Sequence, residues 1–291
     1  MTAASTDADR FTLGASLRRI GLLLFTMVAV LVLLMIFFEE RFIFFPTAYD
    51  GGEAWRPLGI EYQDVDFHAA DGTRLHGWYF PHPTPRAVVL FAHGNAGNIA
   101  GRTEVARRLH RLGASLLLFD YRGYGRSEGS PHEAGLMQDA RAARAQLAKL
   151  AGVEEAEIVL MGRSLGGAVV VELAARDGAR GLILESTFTN LADMGAIHYP
   201  WLPVRLLLRN RFDSLGKMPD YHGPLLQSHG NADRVVPLGL GQQLFEACLQ
   251  VEGEGKEFFL IPGGDHNDFP PPAYYEQLDR FLGKLPRKRS G

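Results

Sequence analysis

The chain of 291 residues carries 30 Lys and Arg against 33 Asp and Glu, for a formal net charge of -3, and no basic stretch is interleaved with aromatics. This balance argues against a nucleic-acid interface. The single cysteine, Cys248, excludes internal disulfides and multi-cysteine metal sites.

Residues 1–19 are polar and are expected to form a disordered cytoplasmic tail. Residues 20–38 are uncharged and rich in Leu, Val, Phe and Met. At a rise of about 1.5 Å per residue they reach roughly the 30 Å of a bilayer core, so a transmembrane helix is predicted. A secretory signal peptide is the competing reading. Those apolar regions run only about 7–15 residues and end at small residues, whereas Phe37-Phe38-Glu39-Glu40 follows here. An uncleaved signal anchor is the better reading. Arg10, Arg18 and Arg19 precede the run, while Glu39, Glu40 and only Arg41 follow it. Positive charge stays on the cytoplasmic side, which predicts a single-pass protein whose catalytic domain lies on the extracytoplasmic side, periplasmic or lumenal.

Residues 39–60 form a juxtamembrane connector. Its Phe42-Ile43-Phe44-Phe45-Pro46 is too aromatic for a flexible linker and should pack on the domain or lie at the lipid interface. The globular domain is assigned to 61–285. It opens with two alternating runs, 61–67 and 73–80, around Ala70-Asp71-Gly72, an antiparallel hairpin.

Continuously apolar runs follow at 87–92, 115–119, 158–161, 181–184, 225–228 and 258–261, the pattern of strands buried on both faces. Helix candidates near 101–112, 132–150, 165–176, 238–250 and 271–284 separate them. Repeated βα units predict an α/β fold with a doubly wound, mostly parallel sheet. Cys248 falls on one of these helices and reads as a small core side chain. Residues 186–221 are long for a βα connection and carry an apolar stretch, 199–208; they are read as a lid insertion. Arg287, Lys288 and Arg289 form a short basic tail, 286–291, to which no function is attached.

Gly162-Arg163-Ser164-Leu165-Gly166 stands between a strand and a helix, where a G-x-S-x-G nucleophile elbow belongs. A serine hydroxyl needs a base, and His266 in Gly263-Gly264-Asp265-His266-Asn267 follows the last strand. The imidazole needs a carboxylate partner. Asp233, after the penultimate strand, preserves the order Ser, Asp, His. Asp120 and Asp265 are rivals by position at strand ends; Asp265 reads instead as a turn former. The oxyanion donors are assigned to the backbone N–H groups of Leu165 and Asn95. His93 is read as structural, and His68, His76, His110 and His198 likewise. The glycine-rich 123–129 lacks the third glycine of G-x-G-x-x-G and a Walker lysine, so it is a structural loop, and Ser127 within it lacks an elbow.

With these motifs assembled, the chain resembles membrane-anchored α/β-hydrolases of the ABHD type. The likeness rests on the anchor with Phe44-Phe45-Pro46, His93-Gly94-Asn95-Ala96-Gly97-Asn98, Asp120-Tyr121-Arg122-Gly123-Tyr124-Gly125, the elbow through Gly167, His229-Gly230 with Asp233, and His266. The resemblance implies hydrolysis of carboxylic esters or thioesters on acyl or lipid substrates at a membrane. No metal or organic cofactor is expected. A peptidase or amidase using the same triad, and a catalytically idle membrane-tethered binding protein, are the alternative readings. Oligomeric state is not encoded.

Overall fold

The computed structural model describes residues 6–49, 52, 56–57, 59–249 and 255–286, with side chains from residue 17 onward. The basic cluster Arg287-Lys288-Arg289 lies outside the described residues.

Helix α1, Thr6–Phe37, covers the expected span and continues back through most of the segment expected to be a disordered tail. The extension has a simple cause. Extending a formed helix adds a hydrogen bond per residue without a new nucleation step, and Ala, Leu and Arg in this stretch are good helix formers. Leu17–Phe37 has a mean hydropathy of 3.0, none of it buried, and is the one helix among the described residues long and apolar enough to cross a membrane. A short turn at Phe38 leads to α2, Glu39–Ile43, and Phe45–Pro46 then pairs in parallel with Ala96–Gly97. The aromatic connector therefore packs on the domain: Phe44 is buried, edge-on to Phe212.

The domain alternates strands and helices: β1 Gln63–His68, β2 Arg74–Phe80, β3 Ala87–Ala92, α3 Thr103–Arg111, β4 Ala114–Asp120, α4 Glu133–Ala151, β5 Ile158–Arg163, α5 Leu165–Asp177 and β6 Gly181–Glu185. The insertion follows, with α6 Leu191–His198, α7 Val204–Leu207 and α8 Ser214–Lys217. The chain then returns through β7 Leu225–Gly230, α9 Leu238–Ala247, β8 Lys256–Ile261 and α10 Pro272–Lys284. Spatially the eight strands run β8-β7-β6-β5-β3-β4-β2-β1. From β4 to β8 every neighbouring pair is parallel, and β2 is antiparallel to both β1 and β4.

Of the continuously apolar strands, β3 to β7 are buried on both faces, as βα crossovers require, whereas β8, at 258–261 expected to be the same, is an edge strand with one neighbour and has no buried residue. All six residues of β3 are buried. One core layer packs α4 and α5 on one face, including Leu136, Val170 and Leu173; the other packs α3 and α10, including Leu109, Leu278 and Phe281. Cys248 is buried in the first. Strand order reverses around β3, and in such sheets the crevice at the carboxyl ends of the central strands receives ligands. The loops after β3, β5, β7 and β8 meet there.

Candidate active site

Ser164 caps the N-terminus of α5 with φ 52° and ψ -119°, a conformation that costs a residue with a side chain on the order of 1–3 kcal/mol. Its neighbours hold it there. The Ser164 N–H donates to the Glu185 carbonyl at 2.9 Å, and the Ser164 carbonyl accepts from the Gly167 N–H at 2.9 Å and from Thr187 Oγ1 at 2.8 Å. The flanking glycines are set by close approach. A Cβ on Gly162 would strike the Gly166 carbonyl, and one on Gly166 would strike the Ala92 carbonyl.

Ser164 Oγ lies 3.1 Å from His266 Nε2, and His266 Nδ1 lies 2.8 Å from Asp233 Oδ2. With Nδ1–H donating to the carboxylate, Nε2 is left free to accept from the serine hydroxyl. Asp233 Oδ1 meanwhile accepts the N–H groups of Val235 and Val236 at 2.9 and 2.8 Å. Burial alone would raise the Asp233 pKa, but hydrogen bonds from His229, His266 and the Val236 N–H outweigh it and hold the carboxyl well below its ordinary range. The carboxylate therefore stays charged opposite the imidazole. His229 Nε2 donates to the Val236 carbonyl at 2.8 Å and stands 3.5 Å from Asp233 Oδ2, a brace behind the acid.

The loops carrying acid and base are tied together. Asp265 Oδ1 accepts the N–H groups of both Arg234, at 3.0 Å, and His266, at 2.8 Å. These bonds, with the Arg234 guanidinium, hold the Asp265 carboxyl down to about 2. Asp265 thus shapes the turn and makes no contact with the imidazole. Arg163, the variable residue of the elbow, donates from its guanidinium to the carbonyls of His266 at 2.5 Å and Asp268 at 3.2 Å. Sequence reasoning missed it because that position carries no pattern. A long donor directly before the nucleophile is the one local hint.

Asn95 and Leu165 line a cavity of about 410 Å3 together with Ser164. The Leu165 N–H stands at the first position of α5, where a helix offers it no internal acceptor. Asn95 is fixed on three sides: its carbonyl accepts from the Phe45 N–H and from Tyr124 Oη, and its side-chain amide donates to the Ile43 carbonyl.

His93 is fully buried, and burial drops its pKa to about 4. It donates from Nδ1 to the Gly94 carbonyl at 2.7 Å and lies apart from the serine–imidazole pair. Asp120 sits beneath this loop, accepting the Ile99 N–H at 2.9 Å. Ser127 Oγ is spent on the Asp120 carbonyl and the His76 N–H. His76, His110 and His198 bond Asp64, the Pro81 carbonyl and the Val235 carbonyl respectively.

The insertion contributes to the cavity: Leu191, Met194, Leu202, Val204 and Leu208 line it together with Ser164. The expected apolar stretch is split in its use: Trp201 and Leu206 point outward, 77% and 85% exposed. One part of the lining was not anticipated: Met35 from α1 and Phe42 and Ile43 from α2.

A serine at an elbow, backed by an imidazole and a carboxylate at the carboxyl ends of a parallel sheet in this strand order, defines an α/β-hydrolase of the serine-hydrolase class. The sequence comparisons place it more closely. The chain belongs to the α/β-hydrolase domain family that includes WAV2 of Arabidopsis thaliana, to which it is 31% identical over 89% of its own length and 92% of that protein. It is also similar to the uncharacterized protein Rv2307c of Mycobacterium tuberculosis, 43% identical over 79% of this chain and 81% of that one. The serine aminopeptidase S33 family model matches residues 83–215, a stretch that holds Ser164 but neither Asp233 nor His266. Among solved structures, the Pyrococcus furiosus esterase Pf2001 shares the fold with a TM-score of 0.68 at 20% identity, over 84% of this chain and 98% of that one.

Proposed function

We propose that this protein hydrolyses carboxylic esters or thioesters through an acyl-enzyme on Ser164, and that α1 anchors it in a membrane. The observation that carries the reading is the unbroken line Ser164 Oγ, His266, Asp233, with spacings of 3.1 and 2.8 Å, whose serine lines a mostly apolar cavity.

Ser164 Oγ attacks the substrate carbonyl carbon as His266 Nε2 takes the hydroxyl proton, and Asp233 stabilises the imidazolium. The oxyanion accepts hydrogen bonds from the N–H groups of Leu165 and Asn95. Collapse breaks the bond to the alcohol or thiol, which leaves with the proton from His266. Water then gives a proton to His266 as it attacks the acyl carbon, and collapse breaks the bond to Ser164 Oγ, which takes that proton back from His266 as the acid leaves. Every step uses groups of this chain and needs no cofactor.

Support for membrane placement comes from α1, whose residues 20–37 are uncharged and unburied. With Arg18 and Arg19 before it and Glu39 and Glu40 after it, the proposed orientation puts the N-terminus in the cytoplasm and the catalytic domain outside. Acyl substrates suit the cavity because its walls are mostly Leu, Met, Val, Ile and Phe, with Asn95, Ser164, His198, Tyr199 and Arg234 the polar members.

The test is fluorophosphonate labelling of the full chain and of Ser164→Ala, read by intact mass. Labelling of the parent alone, together with Ser164-dependent turnover of soluble esters, supports the reading. A folded parent that neither labels nor turns over esters in lipid or detergent favours the idle binding protein. Turnover of peptides in place of esters assigns the site to a peptidase.

A further inference from the structure

We propose that the end of the anchor is part of the substrate site, so that the substrate is a long-chain acyl ester or thioester resident in the bilayer, its chain held between the anchor and the insertion. This rests on the hydrolase reading above and names its substrate class.

Met35 lies in the last turn of α1 and Phe42 in α2, and both line the cavity that contains Ser164. They are not there by loose proximity. Glu39, between them, is 4% exposed and clasps the insertion: it accepts the backbone N–H groups of Arg209 at 3.0 Å and Asn210 at 2.8 Å, the Asn210 side-chain amide at 3.1 Å, and Arg209 Nε at 3.0 Å. Phe44 packs edge-on to Phe212 just beyond. The two walls of the cavity are therefore fastened to each other, one made by the anchor and one by the insertion.

The medium on the anchor side is fixed by the anchor itself. Residues 20–34 of α1, before Met35, carry no charge and none of them is buried, as a helix in lipid requires. The cavity therefore begins where the hydrocarbon phase ends. An acyl chain can slide along α1 past Met35 and Phe42 and bring its carbonyl to Ser164 while its methylenes stay out of water, which avoids the hydrophobic cost of crossing to a soluble pocket. A short soluble acyl group would leave that wall uncovered.

The full chain is reconstituted in phosphatidylcholine nanodiscs, and kcat/KM is measured for p-nitrophenyl palmitate and p-nitrophenyl acetate. Met35→Trp, which fills the anchor side of the cavity, is expected to lower the palmitate-to-acetate ratio at least tenfold. Phe42→Ala, which removes apolar surface the chain would cover, is expected to lower it at least threefold. Leu33→Trp, on another face of α1, is expected to leave the ratio unchanged. Fluorophosphonate labelling of each variant reports an intact site. A ratio within twofold of the parent in both cavity variants overturns the proposal, as does a parent that hydrolyses acetate in a Ser164-dependent manner but not palmitate; in either case the hydrolase reading stands. A parent with no Ser164-dependent turnover of either ester removes both.

Discussion

The side-chain amide of Asn95 donates to the carbonyl of Ile43 at 2.9 Å. A residue proposed to give the oxyanion a backbone donor is thus hitched to α2, the segment that follows α1. Tyr124 Oη and the Phe45 N–H hold its carbonyl on the other side.

Asn95→Ala removes that tie while leaving the backbone N–H in place. Because small misplacements of a donor are costly in a preorganised site, kcat on a soluble ester should fall about 10- to 100-fold with KM little changed. Steady-state kinetics decide this. A raised KM at constant kcat would assign the side chain to ground-state binding instead.

Asp233→Asn keeps the size of the side chain and removes its charge. The imidazole then loses its reason to hold the proton on Nδ1, and kcat should drop by roughly 10^4, the loss seen when a serine-hydrolase triad is changed in this way. Single-turnover acylation monitors the step. The depressed pKa of Asp233 makes its stabilising contribution one that is present above the ordinary carboxylate range and lost as the pH falls through the lower folded-state value.

The Glu39 clasp carries a pH signature of its own. Burial raises its pKa, but hydrogen bonds from the Asn210 and Arg209 backbone and side chains outweigh this and leave it below 4.5. Its contribution is therefore complete above about pH 4.5 and fades as the pH falls through the lower folded value. Glu39→Gln leaves N–H groups of Arg209 and Asn210 poorly partnered, at a cost of about 1–3 kcal/mol. The Tm gap between parent and variant should be steady near neutrality and narrow in acid. A gap that does not change with pH would mean that Glu39 acts through its shape alone.

Gly166→Ala tests the elbow. In an open helix this change would help by up to about 1 kcal/mol, but here the added carbon meets the Ala92 carbonyl, backbone that cannot step aside. Overpacking of this kind costs roughly 1–3 kcal/mol, so the expected sign is destabilising, with loss of fluorophosphonate labelling. Gly101→Ala, with nothing within 4 Å of the new carbon, is the control and should be neutral. Denaturant melts of the detergent-solubilised chain compare the two.

Much of this architecture was legible because its signals are local. Each buried parallel strand announces itself as a short apolar run, and the turns after β5, β7 and β8 carry Ser164, Asp233 and His266 in chain order. The hairpin was legible from Asp71-Gly72, and 158–161 fell short of β5 only at Gly162 and Arg163, whose strand pairing with Leu184 and Glu185 depends on a partner. The unread part was the non-local part. Nothing near Glu39 in the sequence signals Arg209, 170 residues away, and Phe42 reads equally well as a lipid contact or as a cavity wall. The same holds for Arg163, which reaches the His266 carbonyl 103 residues on. Spacing along a chain cannot encode such meetings, which the folded sheet alone brings about.

The order of the site along the chain also sets when it can work. Ser164 is made 102 residues before His266, and the base takes its place only after β8 has docked beside β7. A ribosome-bound chain therefore carries an elbow without a base while the 102 residues between them are made. Helix α1, by contrast, is made before either. If the protein hydrolyses acyl lipids beside its proposed anchor, this sequence of events keeps the nascent chain silent among its substrates until the domain has folded.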